Sequence, residues 1–344
     1  MAESQGLLRE TFSKLSPHPY LLASLRGEGP TASPSRANHR EPAEARPPHI
    51  NASTLTHAHG SALVRIGNNT AICGIRGEIL PTANIPNYRA ADRELASASV
   101  SELRDYDLLV PNIELATGSA PQFLPGAPPT TLAQTLSTRV YSLLHSSKLI
   151  DTEDLRIWHT RPVEEAEDDS YISDEEKKTD EAGEESSKGE RVVIAYWVLH
   201  IDIFFISYDG SPFDVAWASL LAALRNTKLP ATRWDPDREL VICSRQDRKP
   251  LTLSGFPIAC TAAIFKERET ELEETGEFYA LVDPDSREEE LCHETITAVV
   301  DRSSGETSVL SISKHGGSVL QPKTIKAFIL VAGKRWEEFK KAMD

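Results

Sequence analysis

The stretch from Tyr208 to Pro230 contains a tight turn that leads into an apolar helix. Its first residues after the tyrosine are Asp209, Gly210, Ser211, Pro212, Phe213 and Asp214. The amides of a helix N-terminus bind anions such as phosphate, often with a nearby cation. Pro212 has no amide proton, Phe213 is apolar, and Asp214 adds negative charge. The sequence therefore places the backbone of an anion site beside side chains that oppose anion binding.

A second group of carboxylates could hold a divalent cation. It comprises Asp283, Asp285, Glu288, Glu289 and Glu290. Because Pro284 lies among them in a predicted turn, the pattern favours a solvated loop over a metal site. His57 and His59 could lie on one face of a strand, but no third ligand accompanies them. We therefore expect no bound metal and no cofactor.

The elements that position these residues alternate between strands and helices. Apolar residues at every second position predict a hairpin around Gly67 and further strands at "YDLLVPNIELAT", "DLRIWH", "VVIAYWVLHIDIFFISY", "ELVICS", "IACTAAIF", "EFYALVD" and "TITAVVDRSSGETSVLSISK". Helices are predicted from Thr130 or Thr131, after Asp209-Gly210, and from about Gln321 to Met343. This order predicts an α+β fold of duplicated strand-helix units, with mixed β-sheets and packed helices in one compact body.

The ends of the chain and one internal tract have a different composition. We predict an N-terminal helix over 1–26 with a turn shaped by Pro17 and Pro19, an extended arm over 27–50, and the folded domain over 51–344. Residues 161–190 hold 13 acidic and 4 basic residues, a formal −9. Such a tract cannot bury enough apolar surface to fold, so we predict a disordered insert between two strands.

Net charge restricts the function classes. The chain carries a formal −15, which opposes autonomous nucleic-acid binding through a basic surface. Removing the −9 of the insert leaves −6, which permits a local basic groove shared with a partner. The four cysteines form no C-x-x-C pair, and no apolar run is long enough to span a bilayer. These features favour a cytosolic or nuclear protein.

Several stretches together resemble the ribonuclease PH-like subunits of the RNA exosome. "RANHREPAEARP" keeps Arg36, Arg40, Glu44, Arg46 and Pro47 at the spacing of the family's N-terminal arm, R-P-D-G-R-x-x-x-E-x-R-P, but lacks its Pro-Asp-Gly. "GSALVRIGNNTAICGI" is similar to the family's first hairpin. The resemblance runs from about residue 7 to the C-terminus, except for the acidic insert. It implies a ribonuclease PH-like fold.

The same resemblance implies that this chain has lost a catalytic site. Phosphorolytic members carry D-G-G-T-R-T-A at the turn, where the arginine and the helix amides bind phosphate. In this chain Phe213 stands at the position of that arginine. Active members also carry a Glu-Asp pair and a second aspartate six residues later; these two acidic positions fall on Glu290 and Ile296. Isoleucine can neither hold Mg²⁺ nor transfer a proton.

The resemblance therefore implies a non-catalytic subunit of the exosome ring. Its partners would be other ribonuclease PH-like ring subunits, cap subunits with RNA-binding domains, a catalytic exonuclease, and RNA in the assembled channel, without a membrane. The resemblance further implies that this protein is located in the nucleus and nucleolus, and also in the cytoplasm. An active phosphorolytic exoribonuclease with a site shared with a neighbour is the alternative. Candidate contacts to RNA or to a neighbour are Arg36, Arg40, Arg46, Arg65, Arg76 and Arg104.

Overall fold

The computed structural model describes residues 9–27, 34–86, 88, 102–161, 190–266, 278–317 and 319–343. Its helices are α1 (Arg9–Leu15), α2 (Pro17–Arg26), α3 (Thr131–Ser146), α4 (Pro212–Arg225), α5 (Ser286–Leu291) and α6 (Pro322–Met343). Its strands are β1 (Pro48–Ala52), β2 (Gly60–Ile66), β3 (Asn69–Pro81), β4 (Leu109–Leu115), β5 (Arg156–Arg161), β6 (Glu190–Ser207), β7 (Lys228–Asp235), β8 (Leu240–Pro250), β9 (Ile258–Lys266), β10 (Phe278–Val282), β11 (Glu294–Asp301) and β12 (Ser308–His315).

The first sheet is mixed and six-stranded. Its order is β1-β2-β3-β6-β4, and β5 pairs with the start of β6. β6 runs antiparallel to β3 and parallel to β4. The predicted hairpin is confirmed: β2 and β3 meet at Gly67, whose positive φ of 60° suits glycine in a tight turn.

The second sheet contains four antiparallel strands in the order β10-β9-β11-β12. β7 and β8 form a separate two-stranded sheet. The sequence analysis found the start of β8 but missed β7, because Pro230 and alternating charges weaken the strand pattern there. The other predicted strands are confirmed.

Helix α4 lies between the two sheets and organises the core. It contacts β2 and β3 on one side and β9 on the other, and every residue from Pro212 to Leu224 is buried. A helix that is apolar all round is stable only inside a protein. Trp217 is fully buried, and its indole N–H donates to the carbonyl of Pro257 at 2.8 Å. One hydrophobic cluster includes residues of both sheets.

Helices α3 and α6 complete the layers. Thr130 caps α3, since its side chain accepts a hydrogen bond from the amide of Ala133. Trp336 and Phe339 of α6 are buried, and the indole N–H of Trp336 donates to the carbonyl of Phe256 at 2.7 Å. Helix α6 therefore packs against β9 and β11 of the second sheet.

The N-terminal part differs from the prediction in two respects. Pro17 begins a second helix, because a proline in the first helical turn has no amide that needs a partner. β1 begins at Pro48, inside the predicted arm, because Ile50 pairs with Val64 of β2. Most of the acidic insert lies outside the described residues, but its ends, residues 161 and 190, face each other in β5 and β6.

Candidate functional site

The turn before α4 is held against the second half of the chain. Gly210 has a φ of +72°, and a Cβ at this position would overlap the backbone of Pro284 and Asp285. Ser211 also has a positive φ, 46°. The carbonyl of Gly210 accepts a hydrogen bond from the side-chain amide of Asn69 at 2.5 Å. These contacts place the N-terminus of α4 between Asn69 at the start of β3 and the segment 284–285 that precedes α5.

Phe213 fills the space next to this turn. Its side chain is buried, and the guanidinium carbon of Arg139 lies 4.0 Å from the ring centroid. Arg139 also donates to the hydroxyl of Thr297 at 3.0 Å. Burial lowers the pKa of Arg139, and Asp214 partly offsets this effect. The sequence analysis missed Arg139, because nothing in the pattern of α3 distinguishes it from a surface arginine.

A cavity of about 170 Å³ opens beside this pair. Arg139 and Phe213 line it together with the side chains of Thr297, Ser311 and Ser313. The lining therefore combines one cation and several hydroxyl groups with the apolar side chains of Phe213, Leu143 and Val299. In the described part of the chain, Arg139 forms no ion pair.

Asp214 points into the protein. It accepts hydrogen bonds from the hydroxyl of Ser211 at 3.0 Å and from the amide and hydroxyl of Thr261 at 2.8 and 2.7 Å. Burial raises its pKa, although these hydrogen bonds favour the ionised form. The carboxyl group therefore links α4 to β9. The hydroxyl groups of Ser211 and Thr261 are engaged in these hydrogen bonds and are not directed at a ligand.

Glu289 occupies the helix N-terminus itself. Its Oε1 accepts a hydrogen bond from the amide of Ser211 at 2.7 Å, and its Oε2 accepts one from the hydroxyl of Tyr208 at 3.0 Å. Burial raises the pKa of Glu289 to about 7. A carboxylate from the same chain thus holds an amide that an external anion would need.

Glu290 and Ile296, the two positions that the resemblance assigns to the catalytic acids of active members, differ in burial. Glu290 is exposed on α5. Ile296 is 3% exposed in β11, between Ala262 of β9 and Lys314 of β12 in register. An apolar side chain in this strand contributes to the core and offers no ligand or proton.

The three arm arginines bind carboxylates within the chain. Arg36 is fully buried and makes a bidentate pair with Glu288, in which its Nε donates to Oε1 at 2.9 Å. Arg46 pairs with Asp283 at 2.7 Å and with Asp209 at 3.0 Å. Arg40 pairs with Asp283 at 3.4 Å. All three cations are thus paired within the chain, and their contact with RNA or with a neighbour stays a prediction.

The acidic group after β10 is correspondingly not a solvated loop. Asp283 and Glu288 are buried. Burial works against ionisation of Asp283, but its hydrogen bonds with Arg46 outweigh burial and lower the pKa of this carboxyl. Asp285 and Glu288 form a capping box at the start of α5. Their D-x-x-E spacing is the signal that could have predicted this helix.

The remaining candidate arginines lie on the surface. Arg65, Arg76 and Arg104 are exposed. Arg65 donates through Nε to the carbonyl of Gly67 at 2.9 Å. His57 and His59 lie in the segment between β1 and β2, not in a strand, and Nδ1 of His59 accepts from the amide of Gly77 at 2.8 Å.

Within the described residues, no group of three or more His, Cys, Asp or Glu side chains could hold a metal ion. None of the described helices is long and apolar enough to cross a membrane.

Comparison with solved structures defines the class of fold. A chain of the "archaeoglobus fulgidus exosome with RNA bound to the active site" matches with a TM-score of 0.63 and 21% identity, over 95% of this chain and 97% of that chain. A chain of an "Archaeal exosome core" matches with a TM-score of 0.58 and 21% identity, over 97% of this chain and 100% of that chain. The fold is therefore ribonuclease PH-like, as expected.

Sequence comparison establishes the family. Domain 1 of the 3′ exoribonuclease family (RNase PH) matches residues 44–230, and domain 2 matches residues 255–335. Exosome complex component rrp43 of Schizosaccharomyces pombe is 32% identical over 93% of both chains. Exosome complex component Rrp42 of Methanopyrus kandleri is 28% identical over 89% of this chain and 88% of its own length. The chain belongs to the 3′ exoribonuclease family.

Proposed function

We propose that this protein is a non-catalytic subunit of an RNA exosome core ring. It supports 3′–5′ RNA processing and degradation, including rRNA maturation and mRNA turnover, by building the ring and helping to thread RNA. The observation that carries the proposal is the hydrogen bond between Glu289 and the amide of Ser211. The helix N-terminus that would bind an attacking phosphate is already engaged by a carboxylate of the same chain.

Two further features support the absence of catalysis. Phe213 stands where phosphorolytic members have an arginine, and its ring is buried. Ile296 stands where they have an aspartate, and it too is buried. One change removes a phosphate ligand and the other removes a metal ligand or proton donor. Because the scaffold remains intact around both, the chain is suited to assembly.

The partners follow from the relatives, which are named as exosome components. They are other ribonuclease PH-like ring subunits, cap subunits with RNA-binding domains, and a separate catalytic exonuclease. Arg65, Arg76 and Arg104 remain the candidates for contact with RNA or with a neighbour, since all three are exposed. The proposed locations are the nucleus, the nucleolus and the cytoplasm.

The proposed domain organisation consists of N-terminal helices, an arm that is bound to the domain through its arginines, and one ribonuclease PH-like domain with an acidic insert. The arm joins the two family regions, because Arg46 contacts Asp209 in the first region and Asp283 in the second.

Native mass spectrometry of the tagged protein, purified from its own cells at moderate salt, tests the function. We expect one assembly that contains other ribonuclease PH-like chains, cap proteins and an exonuclease. Phosphate-dependent release of nucleoside diphosphates from RNA is then measured for the isolated chain and for its binary complexes, and we expect none. A monomer or a homo-oligomer from cells would contradict the proposal.

One observation favours the alternative, an active phosphorolytic exoribonuclease with a shared site. Arg139 is a cation without a carboxylate partner in the described residues, and it lies beside a cavity that hydroxyl groups and apolar side chains line together. A neighbouring chain could complete such a site. Nucleoside diphosphate release by a binary complex, lost on Arg139→Met, would establish this alternative.

A further inference from the structure

Arg139 keeps hydrogen-bond donors free at the cavity between α3 and β12. Its Nη2 donates to the hydroxyl of Thr297 at 3.0 Å, and its guanidinium lies over the ring of Phe213. Within the described residues, its Nε and Nη1 have no hydrogen-bond acceptor, and no carboxylate pairs with the guanidinium. Arginine is always charged and offers only donors. These two nitrogens are therefore available to an acceptor from outside the chain.

The cavity offers further donors and apolar contacts but no acid. The hydroxyl groups of Ser142, Ser311 and Ser313 line it, and within the described residues they form no hydrogen bond. Leu143 and Val299 supply apolar surface, and no aspartate or glutamate is among the described lining residues. A negatively charged group with acceptor atoms and a short apolar stem fits this lining.

A chain of hydroxyl groups holds Arg139 in this position. Because the hydroxyl of Thr261 donates to Asp214 at 2.7 Å, its oxygen accepts from the hydroxyl of Thr297 at 3.0 Å. Thr297 in turn accepts from Arg139. Asp214 thus orients the guanidinium through two threonines and does not pair with it. Donors that are fixed in advance lower the entropic cost of binding.

Size and charge select the occupant of the cavity. Its volume is about 170 Å³, whereas pockets for small molecules usually measure about 300–1,000 Å³. RNA binds through several phosphates on a cluster of basic side chains, but Arg139 is the single cation in the described lining. A free phosphate dianion would bring two charges against one guanidinium. One carboxylate on a short methylene stem matches the single charge, the hydroxyl groups and the apolar side chains.

We propose that the cavity receives an aspartate or glutamate side chain from a neighbouring ribonuclease PH-like subunit. The incoming carboxylate accepts from Nε and Nη1 of Arg139 and from the serine hydroxyl groups. The acid comes from a ring neighbour, because cap subunits carry RNA-binding domains, whose surfaces are basic. Ser142 and Ser146 are exposed, so the cavity is open to the neighbour along α3. The inference rests on the proposed function, which supplies that neighbour.

Charge reversal tests the contact. Arg139→Glu places a carboxylate at the cavity, and Arg225→Glu makes the same change at an exposed arginine whose guanidinium lies 5.3 Å from the ring centroid of Phe256, outside the cavity. Each tagged full-length variant is purified from cells, and its subunits are counted by native mass spectrometry. We expect Arg139→Glu to reduce recovery of one ribonuclease PH-like subunit by about tenfold or more, and Arg225→Glu to recover the wild-type set.

Folding is checked by thermal unfolding of each isolated chain. If Arg139→Glu does not fold, Ser142→Asp replaces it. Ser142 is exposed and lies three residues after Arg139 on α3, so the new aspartate can pair with Arg139 from within the chain. We expect this internal carboxylate to take the place of the neighbour's and to reduce recovery of the same subunit.

A crosslink identifies the occupant. Arg139→Lys places an amine at the cavity, and a water-soluble carbodiimide joins an amine to a carboxylate that touches it. The carboxylate loses one oxygen to the carbodiimide, which leaves as a urea, and an amide bond forms. Peptide mass spectrometry of the purified assembly should show this bond between the lysine of Arg139→Lys and an aspartate or glutamate of a ribonuclease PH-like subunit. Arg225→Lys should give no such bond.

The outcomes separate the two proposals. If the wild-type chain recovers no ribonuclease PH-like subunit, the proposed function fails. If the wild type assembles and the folded cavity variants assemble equally well, the ring function stands and the carboxylate inference is overturned. Loss of RNA crosslinks with all subunits retained, or an amide bond to a cap subunit, would also overturn it.

Discussion

The amide of Ser211 donates to Oε1 of Glu289 at 2.7 Å, and this contact joins the N-terminus of α4 to helix α5. Glu289 comes from the second family region and Ser211 from the first. A carboxylate at the positive end of a helix is stabilising. The contact thus links the two family regions of the chain.

Glu289 should make stability depend on pH. Its pKa in the folded chain is about 7, above its ordinary value of 4.5. The folded state therefore holds a proton that the unfolded state releases between these two pH values, so this contribution is complete below pH 4.5 and is lost as pH rises through 7.

We expect the stability of the Glu289→Gln variant not to fall in this way as the pH rises. Relative to the variant, the wild type should lose stability on the order of 1–2 kcal/mol between pH 5 and pH 8, less than the full shift because the carboxyl keeps some contact with solvent. Urea unfolding of both chains at several pH values measures it. A constant difference across this range would refute the assignment.

The buried pair of Arg36 and Glu288 should contribute strongly to folding. Arg36→Met removes the bidentate partner of buried Glu288 and leaves only Arg40, 3.8 Å away, so we expect a loss of about 3 kcal/mol in the free energy of unfolding. Adding Glu288→Gln removes the unpaired charge and should recover part of the loss. Urea unfolding measures the free energy of unfolding of the wild type, of Arg36→Met and of the double variant.

Arg302→Met is the control for this pair. Arg302 and Glu337 also form an ion pair, but their side chains are 31% and 61% exposed. We expect a loss below about 1 kcal/mol. Equal losses of stability for Arg36→Met and Arg302→Met would mean that burial of the ion pair does not determine its contribution.

Gly210 should not tolerate a side chain. Alanine there would combine a left-handed φ, which costs about 1–2 kcal/mol, with overlap against the backbone of Pro284 and Asp285. Gly126 has the same φ of +72° but no atom near a Cβ. Gly210→Ala should therefore destabilise by about 2–4 kcal/mol and Gly126→Ala by about half of that. Thermal unfolding of both variants compares them, and equal shifts would show that the close approach is unimportant.

The alternation of strands and helices could be predicted from the sequence, because the spacing of apolar residues along the chain differs between strands and helices. The roles of Phe213 and Ile296 stay predictions from the resemblance, and the structure adds that both side chains are buried. The pairing of Arg36 with Glu288 could not be predicted, because 252 residues separate the two. Charged residues in a polar segment look solvated until their long-range partners are known.

The same limitation explains the missed residues of the site. Arg139 lies on an ordinary amphipathic helix, and only the fold brings it over Phe213. Tyr208 and Thr261 act as hydrogen-bond donors to Glu289 and Asp214 across strands that are distant in sequence. The pattern of residue types within a short segment does not show which distant residues that segment contacts.

The acidic insert should be removable without loss of the fold. Residues 161 and 190 face each other across β5 and β6, so a short turn can join these strands. Replacing residues 163–188 by a short turn that contains Asn-Gly closes a smaller loop, and we expect a gain of about 1–2 kcal/mol in stability. The subunits recovered from cells should not change. Thermal unfolding and native mass spectrometry of the shortened chain measure both properties, and a loss of either would assign the insert a structural role.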